Sequence, residues 1–268
     1  MDDVDPHWLA ALRASASQAP QRRRLPLLAG DAVIGSVEPD FLSQIVLLPL
    51  SDGRKQLSKV ERPEGAVWQL QGEVTASLQA LAEALREAGL AHAWRDEQLA
   101  VMDAQGHRVG SVERAVVRVL GIATQAVHLV AQAEDGRFWV QQRAWSKAND
   151  PGLWDTLMGG MVSGADTLAS ALERETWEEA GLQLGDLKNL RHGGQLDVCC
   201  PCTDGHGAGY VIEHIAWYRC TMPDRLMPQN QDGEVERFVL MDRQELLQKM
   251  QGHAFTREAA LIQTAFLA

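Results

Sequence analysis

The stretch Gly160-Met161-Val162-Ser163-Gly164-Ala165-Asp166-Thr167-Leu168-Ala169-Ser170-Ala171-Leu172-Glu173-Arg174-Glu175-Thr176-Trp177-Glu178-Glu179-Ala180-Gly181-Leu182 decides how this chain is read. Thr167 is a good helix N-cap, the run 168–180 holds no Gly or Pro, and Gly181 is a natural C′ stop. The spacing predicts a helix over 168–180. At about 100° per residue, Leu168, Ala171, Leu172 and Thr176 share one arc, with Glu175 and Glu179 inside it and Glu178 at its edge. Carboxylates on an inward face are costly to bury unless they are paired or bound to a cation. Oxygen donors of this kind suit a hard divalent ion such as Mg²⁺ or Mn²⁺. A plain surface helix with Arg174 and Glu178 as an i,i+4 pair would not need glycines at fixed offsets on both sides.

These residues resemble the signature of the Nudix hydrolases, which runs from a glycine through a glutamate to R-E-U-x-E-E-x-G-U, where U is usually bulky and aliphatic. Gly160, Arg174, Glu175, Glu178, Glu179, Gly181 and Leu182 fall in register. Asp166 stands where the family has Glu, and Thr176 takes the first U position. The resemblance implies an α/β/α sandwich with a mixed sheet, and metal-assisted attack of water on a diphosphate. It implies Glu175, Glu178, Glu179 and the Gly160 carbonyl as metal ligands. Asp166 reaches about 1.5 Å less far than Glu, so it meets the metal directly, meets it through water, or supports the other ligands by hydrogen bonds. Arg174 holds a glutamate in place and keeps the cluster ionised. The general base is a helix glutamate such as Glu178, or one of Glu234 and Glu236 on a later loop.

The similarity widens over Trp139-Val140-Gln141-Gln142-Arg143-Ala144-Trp145-Ser146-Lys147, Pro151-Gly152-Leu153-Trp154-Asp155 and Asn230-Gln231-Asp232-Gly233-Glu234-Val235-Glu236-Arg237-Phe238. These segments resemble the subgroup that includes the Nudix portion of fungal thiamine pyrophosphokinase. That likeness implies a small-molecule diphosphate as substrate: thiamine diphosphate or its oxidised forms, cleaved to the monophosphate. Arg143 and Lys147 are expected to grip the diphosphate. Trp145, together with Trp154, Trp217 and Tyr218, either stacks on a substrate ring or packs in the core. Two other functions use the same scaffold: a non-catalytic ligand sensor, and an isopentenyl diphosphate isomerase. The isomerase needs further Cys and Glu residues, and Cys199, Cys200 and Cys202 do not sit in an obviously suitable place.

The 268 residues allow two domains, and an apolar fraction of 46% is enough for a packed core. The expected division is a smaller α/β unit over 1–118 and a Nudix domain over 119–268. The first unit shapes the pocket, mediates homodimer contacts or binds a partner. A formal charge of −11 argues against nucleic-acid or anionic-membrane binding. The acidic opening Met1-Asp2-Asp3-Val4-Asp5-Pro6 lacks the basic-then-apolar pattern of a signal peptide, so a cytoplasmic location is expected. Cys199, Cys200, Cys202 and Cys220 read as reduced structural cysteines, because C-C-x-C is not a paired zinc framework. Arg22-Arg23-Arg24 reads as a solvated loop, Thr75 as the cap of a helix ended by Gly89, and His128 as a satisfied core residue.

Overall fold

The computed structural model describes residues 4–268; the acidic Met1-Asp2-Asp3 used for the localisation reading lies outside them. Helix α1 (Pro6–Ser15) is followed by strands β1 (Leu25–Ala29), β2 (Ala32–Val37), β3 (Leu57–Arg62) and β4 (Gly65–Leu70). These form a sheet in the order β2-β1-β4-β3. Helix α2 (Val74–Glu87) leads to the hairpin β5 (Gln98–Met102) and β6 (Arg108–Glu113). Leu78, Leu81 and Leu85, spaced for one helix face, are fully buried against Leu27, Val101 and Val112. Glu73, not Thr75, caps α2: its carboxylate accepts from the backbone N–H groups of Thr75 and Ala76. A side chain one carbon longer than the preferred caps does this job, and sequence preference points away from it.

The second half comprises β7 (Thr124–Ala133), β8 (Phe138–Arg143), β9 (Trp154–Asp155), β10 (Met158–Met161), α3 (Leu168–Ala180), β11 (Lys188–Cys202), the short turn α4 (Asp204–Gly207), β12 (Gly209–Met222), β13 (Val235–Met241), α5 (Arg243–Gln251) and α6 (Arg257–Leu267). Its sheet runs β11-β12-β7-β8-β13, with β10 on β7 and β9 on β8. β12 runs parallel to β7 and the other pairs are antiparallel, so the sheet is mixed. β7 shows the period of two expected of a covered strand. Val127, Leu129 and Ala131 pack with Leu172 and Ala180 of α3, while Ala126 and Val130 pack with Leu261 and Ile262 of α6. Helices therefore cover both faces, and the architecture is the expected α/β/α sandwich. β11 and β12 are long because each continues to pair with the other out to Cys202 and Gly209. No helix among the described residues is long and apolar enough to cross a membrane.

The arginine run does not all face solvent. Arg24 donates to the hydroxyl and carbonyl oxygens of Ser36 and the carbonyls of Val119 and Ala208, and lies over the Tyr210 ring. It staples the first sheet to the strand pair β11–β12. Beside it, Ser36 N–H donates to the Leu120 carbonyl at 2.9 Å. The approach is so close that a Cβ on Gly35 would lie 2.4 Å from that same oxygen.

Candidate active site

Helix α3 is built as its ends dictate. The Thr167 hydroxyl accepts from Ser170 N–H while the Ser170 hydroxyl accepts from Thr167 N–H, a reciprocal capping box. Gly181 closes the helix in the left-handed region, at φ 64°. These ends fix the phase of the glutamate face over β10. Gly159 and Gly160 of β10 lie under it with no room for side chains. A Cβ on Gly160 would sit 2.1 Å from Glu175 Cδ, and one on Gly159 would sit 2.4 Å from the His128 ring.

Glu179 is 2% exposed. Its Oε2 accepts from Gln141 Nε2 at 2.8 Å and Gly159 N–H at 3.0 Å, and its Oε1 lies 3.6 Å from Lys147 Nζ. Burial pushes its carboxyl up, against the pull of Lys147. Glu175 is pushed up to about 7, first by burial and then by the neighbouring charge of Glu179, with Arg174 opposing. Glu178 lies at the solvent edge of the same face.

Arg174 is the centre of this cluster. Its Nη1 donates to Glu175 at 2.9 Å and Glu178 at 2.8 Å, while its Nε and Nη2 fork onto one oxygen of Asp166 at 2.9 and 2.8 Å. The hydroxyls of Ser163 and Ser170 also donate to Asp166. Burial raises the Asp166 carboxyl, but the Arg174 fork outweighs it and holds the group below its ordinary value. Among the described residues, no group of three His, Cys, Asp or Glu side chains stands ready to hold an ion as the chain is arranged here. The Arg174 guanidinium pairs with both Glu175 and Glu178 and offsets their mutual repulsion.

Across the cavity, Lys147 pairs with Glu234. The loop that carries Glu234 hangs from the end of α3: Gln229 N–H donates to the Ala180 carbonyl and Gln231 N–H to the Glu178 carbonyl. Burial raises the Glu234 carboxyl, yet Lys147, followed by Arg114 and Arg95, holds it below its ordinary value. Arg143 donates to Asp155 at 3.2 Å and to the Asn149 carbonyl at 3.1 Å. Asp155, His128 and Thr156 form a buried polar set beneath, with His128 Nδ1 2.9 Å from the Thr156 hydroxyl.

Many of these groups line one cavity of about 590 Å³. It brings together Gly160, Arg174, Glu175, Glu178, Glu179, Arg143, Lys147 and Glu234. Asp166, Trp145 and Glu236 lie outside its lining, as do Trp154, Trp217 and Tyr218, of which the two tryptophans are buried in the core. Asp166 is turned toward the Arg174 fork and its serine donors. Trp145 is 67% exposed and covers Gly152, where a Cβ would fall 2.3 Å from its ring. Glu236 follows buried Val235 in β13, where the pairing with β8 skips from Val235 to Arg237, and it is exposed. Asp155, Arg257 and Glu258 also line the cavity, as do Arg95, Glu97, Arg114 and Arg118 from before β7. Asp155 sits inside the quoted Pro151–Asp155 segment, so a signal for it existed; the early arginines carried none. The four cysteines are free, and the Cys200 Sγ accepts from Arg257 Nη1.

A sandwich with a glutamate helix over a glycine strand defines a class, and comparison identifies it. The model of the NUDIX domain matches residues 123–260, and the chain belongs to the Nudix family. It is 27% identical to uncharacterized protein YJR142W of Saccharomyces cerevisiae over 187 residues, 65% of this chain and 54% of the relative. It is 36% identical to uncharacterized Nudix hydrolase PA4841 of Pseudomonas aeruginosa over 87 residues, 32% of this chain and 52% of that one. Nudix hydrolase 20, chloroplastic, of Arabidopsis thaliana is 31% identical over 137 residues, 49% of this chain and 35% of that one. The chain thus spans about half, or less, of the length of these curated relatives. The crystal structure of DR0079 from Deinococcus radiodurans superposes with a TM-score of 0.50 at 19% identity, covering 63% of this chain and 99% of that one, a likeness of fold.

Proposed function

We propose that this protein is a divalent-metal-dependent Nudix hydrolase that cleaves a small-molecule diphosphate, with thiamine diphosphate or its oxidised derivatives as substrate and the monophosphate as product. The observation that carries the reading is the convergence of Glu175, Glu178 and Glu179 on one cavity, above a glycine strand with no space for side chains. The thiamine assignment is supported by the segments 139–147, 151–155 and 230–238. Two of these supply Lys147 and Glu234, which meet across the cavity. The division into an upstream unit, 1–118, and a Nudix domain, 119–268, belongs to the same proposal.

The donor set fits a hard cation. Glu175, Glu178, Glu179 and the Gly160 carbonyl offer only oxygens, and Glu175 carries a raised carboxyl that a divalent ion would relieve. Such an ion, Mg²⁺ or Mn²⁺, supplies charge neutralisation at the phosphates and a more acidic bound water. Arg174 Nη1 engages one oxygen of each of Glu175 and Glu178, which leaves the other oxygen of each for the ion, while Nε and Nη2 keep Asp166. Asp166 is then the anchor that parks Arg174, and the fork geometry suits that role.

The protein's own groups position the rest. Lys147, between Glu179 and Glu234, is the point charge that meets the diphosphate. Glu234, held ionised, takes the proton of the attacking water. Phosphoryl transfer requires positioning and charge stabilisation more than covalent help, and this arrangement supplies both. The test is a panel of diphosphates, including thiamine diphosphate and its oxidised forms, incubated with Mg²⁺ or Mn²⁺ and assayed for monophosphate. Release that Glu178→Gln abolishes supports the assignment. Tight binding without turnover at any metal concentration would make the protein a sensor, and an isomerised diphosphate would make it an isomerase.

A further inference from the structure

The β5–β6 hairpin lies outside the matched domain, yet it is locked onto the loop that enters the glutamate helix. Gly164 N–H donates to the Gln98 carbonyl at 2.7 Å, and Arg108 Nη1 donates back to the Gly164 carbonyl. The fit is close: a Cβ on Gly164 would lie 3.0 Å from the Gln98 oxygen. With the body of the hairpin held there, the residues at its two open ends, Arg95 and Glu97 before β5 and Arg114 after β6, line the cavity that holds the glutamates.

Arg114 is oriented by Glu97, whose Oε2 accepts from its Nη1 at 2.7 Å. The Arg114 N–H donates to the Glu97 carbonyl at 2.8 Å, so both residues are tied at backbone and side chain. Arg95 is placed by its backbone, whose N–H donates to the buried Glu113 carboxylate at 3.0 Å. No side-chain partner is found for the Arg95 guanidinium among the described residues, and it lines the cavity. Both cations influence Glu234, on the far loop. In a chain of net charge −11, two arginines facing an acidic cavity form a local cationic pocket.

We infer that the upstream unit forms one wall of the catalytic cavity, and that Arg95 and Arg114 on this wall grip the terminal phosphate of the substrate. A guanidinium fork matches phosphate oxygens, and an unsubstituted terminal phosphate carries more charge than one esterified on both sides. A cationic ring such as thiazolium is repelled from this wall, which orients the diphosphate end toward it. The wall thereby selects diphosphates that end in a free phosphate over those capped at both ends. The inference rests on the diphosphatase reading for its substrate, but its test separates the two.

In the full chain, Arg95→Gln, Arg95→Lys and Arg114→Gln are compared with the parent in two measurements. The first is the dissociation constant of methylenediphosphonate with Mg²⁺, by calorimetry. The second is KM and kcat for thiamine diphosphate and for ADP-ribose. Loss of a charge-assisted hydrogen bond predicts that Arg95→Gln weakens methylenediphosphonate binding, and raises KM for thiamine diphosphate, by about tenfold or more. The kcat and the ADP-ribose kinetics stay nearly level, and Arg95→Lys recovers part of the loss. A purely structural role would shift both substrates together and would overturn the inference. Unchanged methylenediphosphonate affinity in both Gln variants overturns it as well, whatever the hydrolytic rate. If the parent hydrolyses no diphosphate but binds methylenediphosphonate through Arg95, the hydrolase reading fails and the phosphate wall stands.

Discussion

Glu175 rests on Gly160 so closely that adding one carbon to the glycine would place it 2.1 Å from the Glu175 Cδ. Strand β10 and helix α3 therefore meet at the carboxylate itself, in addition to the apolar core that Met158 shares with Ala171, Leu172 and Ala180. Gly160→Ala must push that carboxylate off its position. A displacement on the order of 1 Å at a reacting centre costs roughly 10²-fold in rate. The expected result is a fall in kcat of that size, with a cooperative thermal transition retained, read by phosphate release and calorimetry.

Arg174 carries a different burden. Arg174→Gln leaves Glu175, Glu178 and Asp166 without their common partner. For a partly buried cluster the cost is about 2 kcal/mol in the metal-free protein. Urea unfolding with EDTA and with excess Mg²⁺ checks this. The deficit should shrink when the ion is present, because the ion takes over the neutralisation of the glutamates.

The raised carboxyl of Glu175 predicts a pH dependence with a definite sign. In the folded metal-free chain it holds its proton up to about 7, whereas unfolded it releases the proton near its ordinary value of 4.5. Between those values the native state binds more protons, so stability falls as pH rises. The contribution is full below the unfolded value and lost by pH 7 and above. The Tm measured with EDTA is expected to carry this downward component between pH 5 and about 7.5, and the parent should show it more strongly than Glu175→Gln.

Two loop glutamates separated by one residue are expected to behave differently. Glu234 lines the cavity and pairs with Lys147, whereas Glu236 is exposed on β13. Glu234→Gln is expected to lower kcat by about 10²-fold or more, the usual range for loss of a general base. Glu236→Gln should leave it nearly unchanged. Equal effects would remove Glu234 from the mechanism.

The cysteines offer a probe of burial. The Cys220 thiol is pushed up to about 12 by burial and sits within the sandwich core. It should resist iodoacetamide at pH 8 in the native protein and react only after unfolding, because the thiolate is the reactive form. Peptide mapping after labelling reads this directly.

Those parts of the molecule that depend on neighbours in sequence were legible from it. Thr167, Gly181 and the apolar spacing between them mark α3 from cap to cap, and a glutamate on an inward face declares a site without any structure. The ends of β11 and β12 are not written in residue preference, because their mutual pairing decides where they stop. Arg24 reaches the Ala208 carbonyl across 184 residues of chain, and no local pattern encodes such a contact. Arg95 and Arg114 were hidden for the same reason: an arginine beside a turn looks the same in sequence whether it meets water or lines a cavity.

Met161 closes β10 and packs in the hydrophobic core that also contains Leu99, Val112 and Leu120, all from before β7. The last residue of this glycine-bearing strand is thus covered by side chains that lie upstream of the matched residues 123–260. Excising the matched residues as a portable cassette would expose Met161 and leave the end of β10 without its apolar cover. A graft that keeps this cover has to carry the upstream hairpin along with the matched residues.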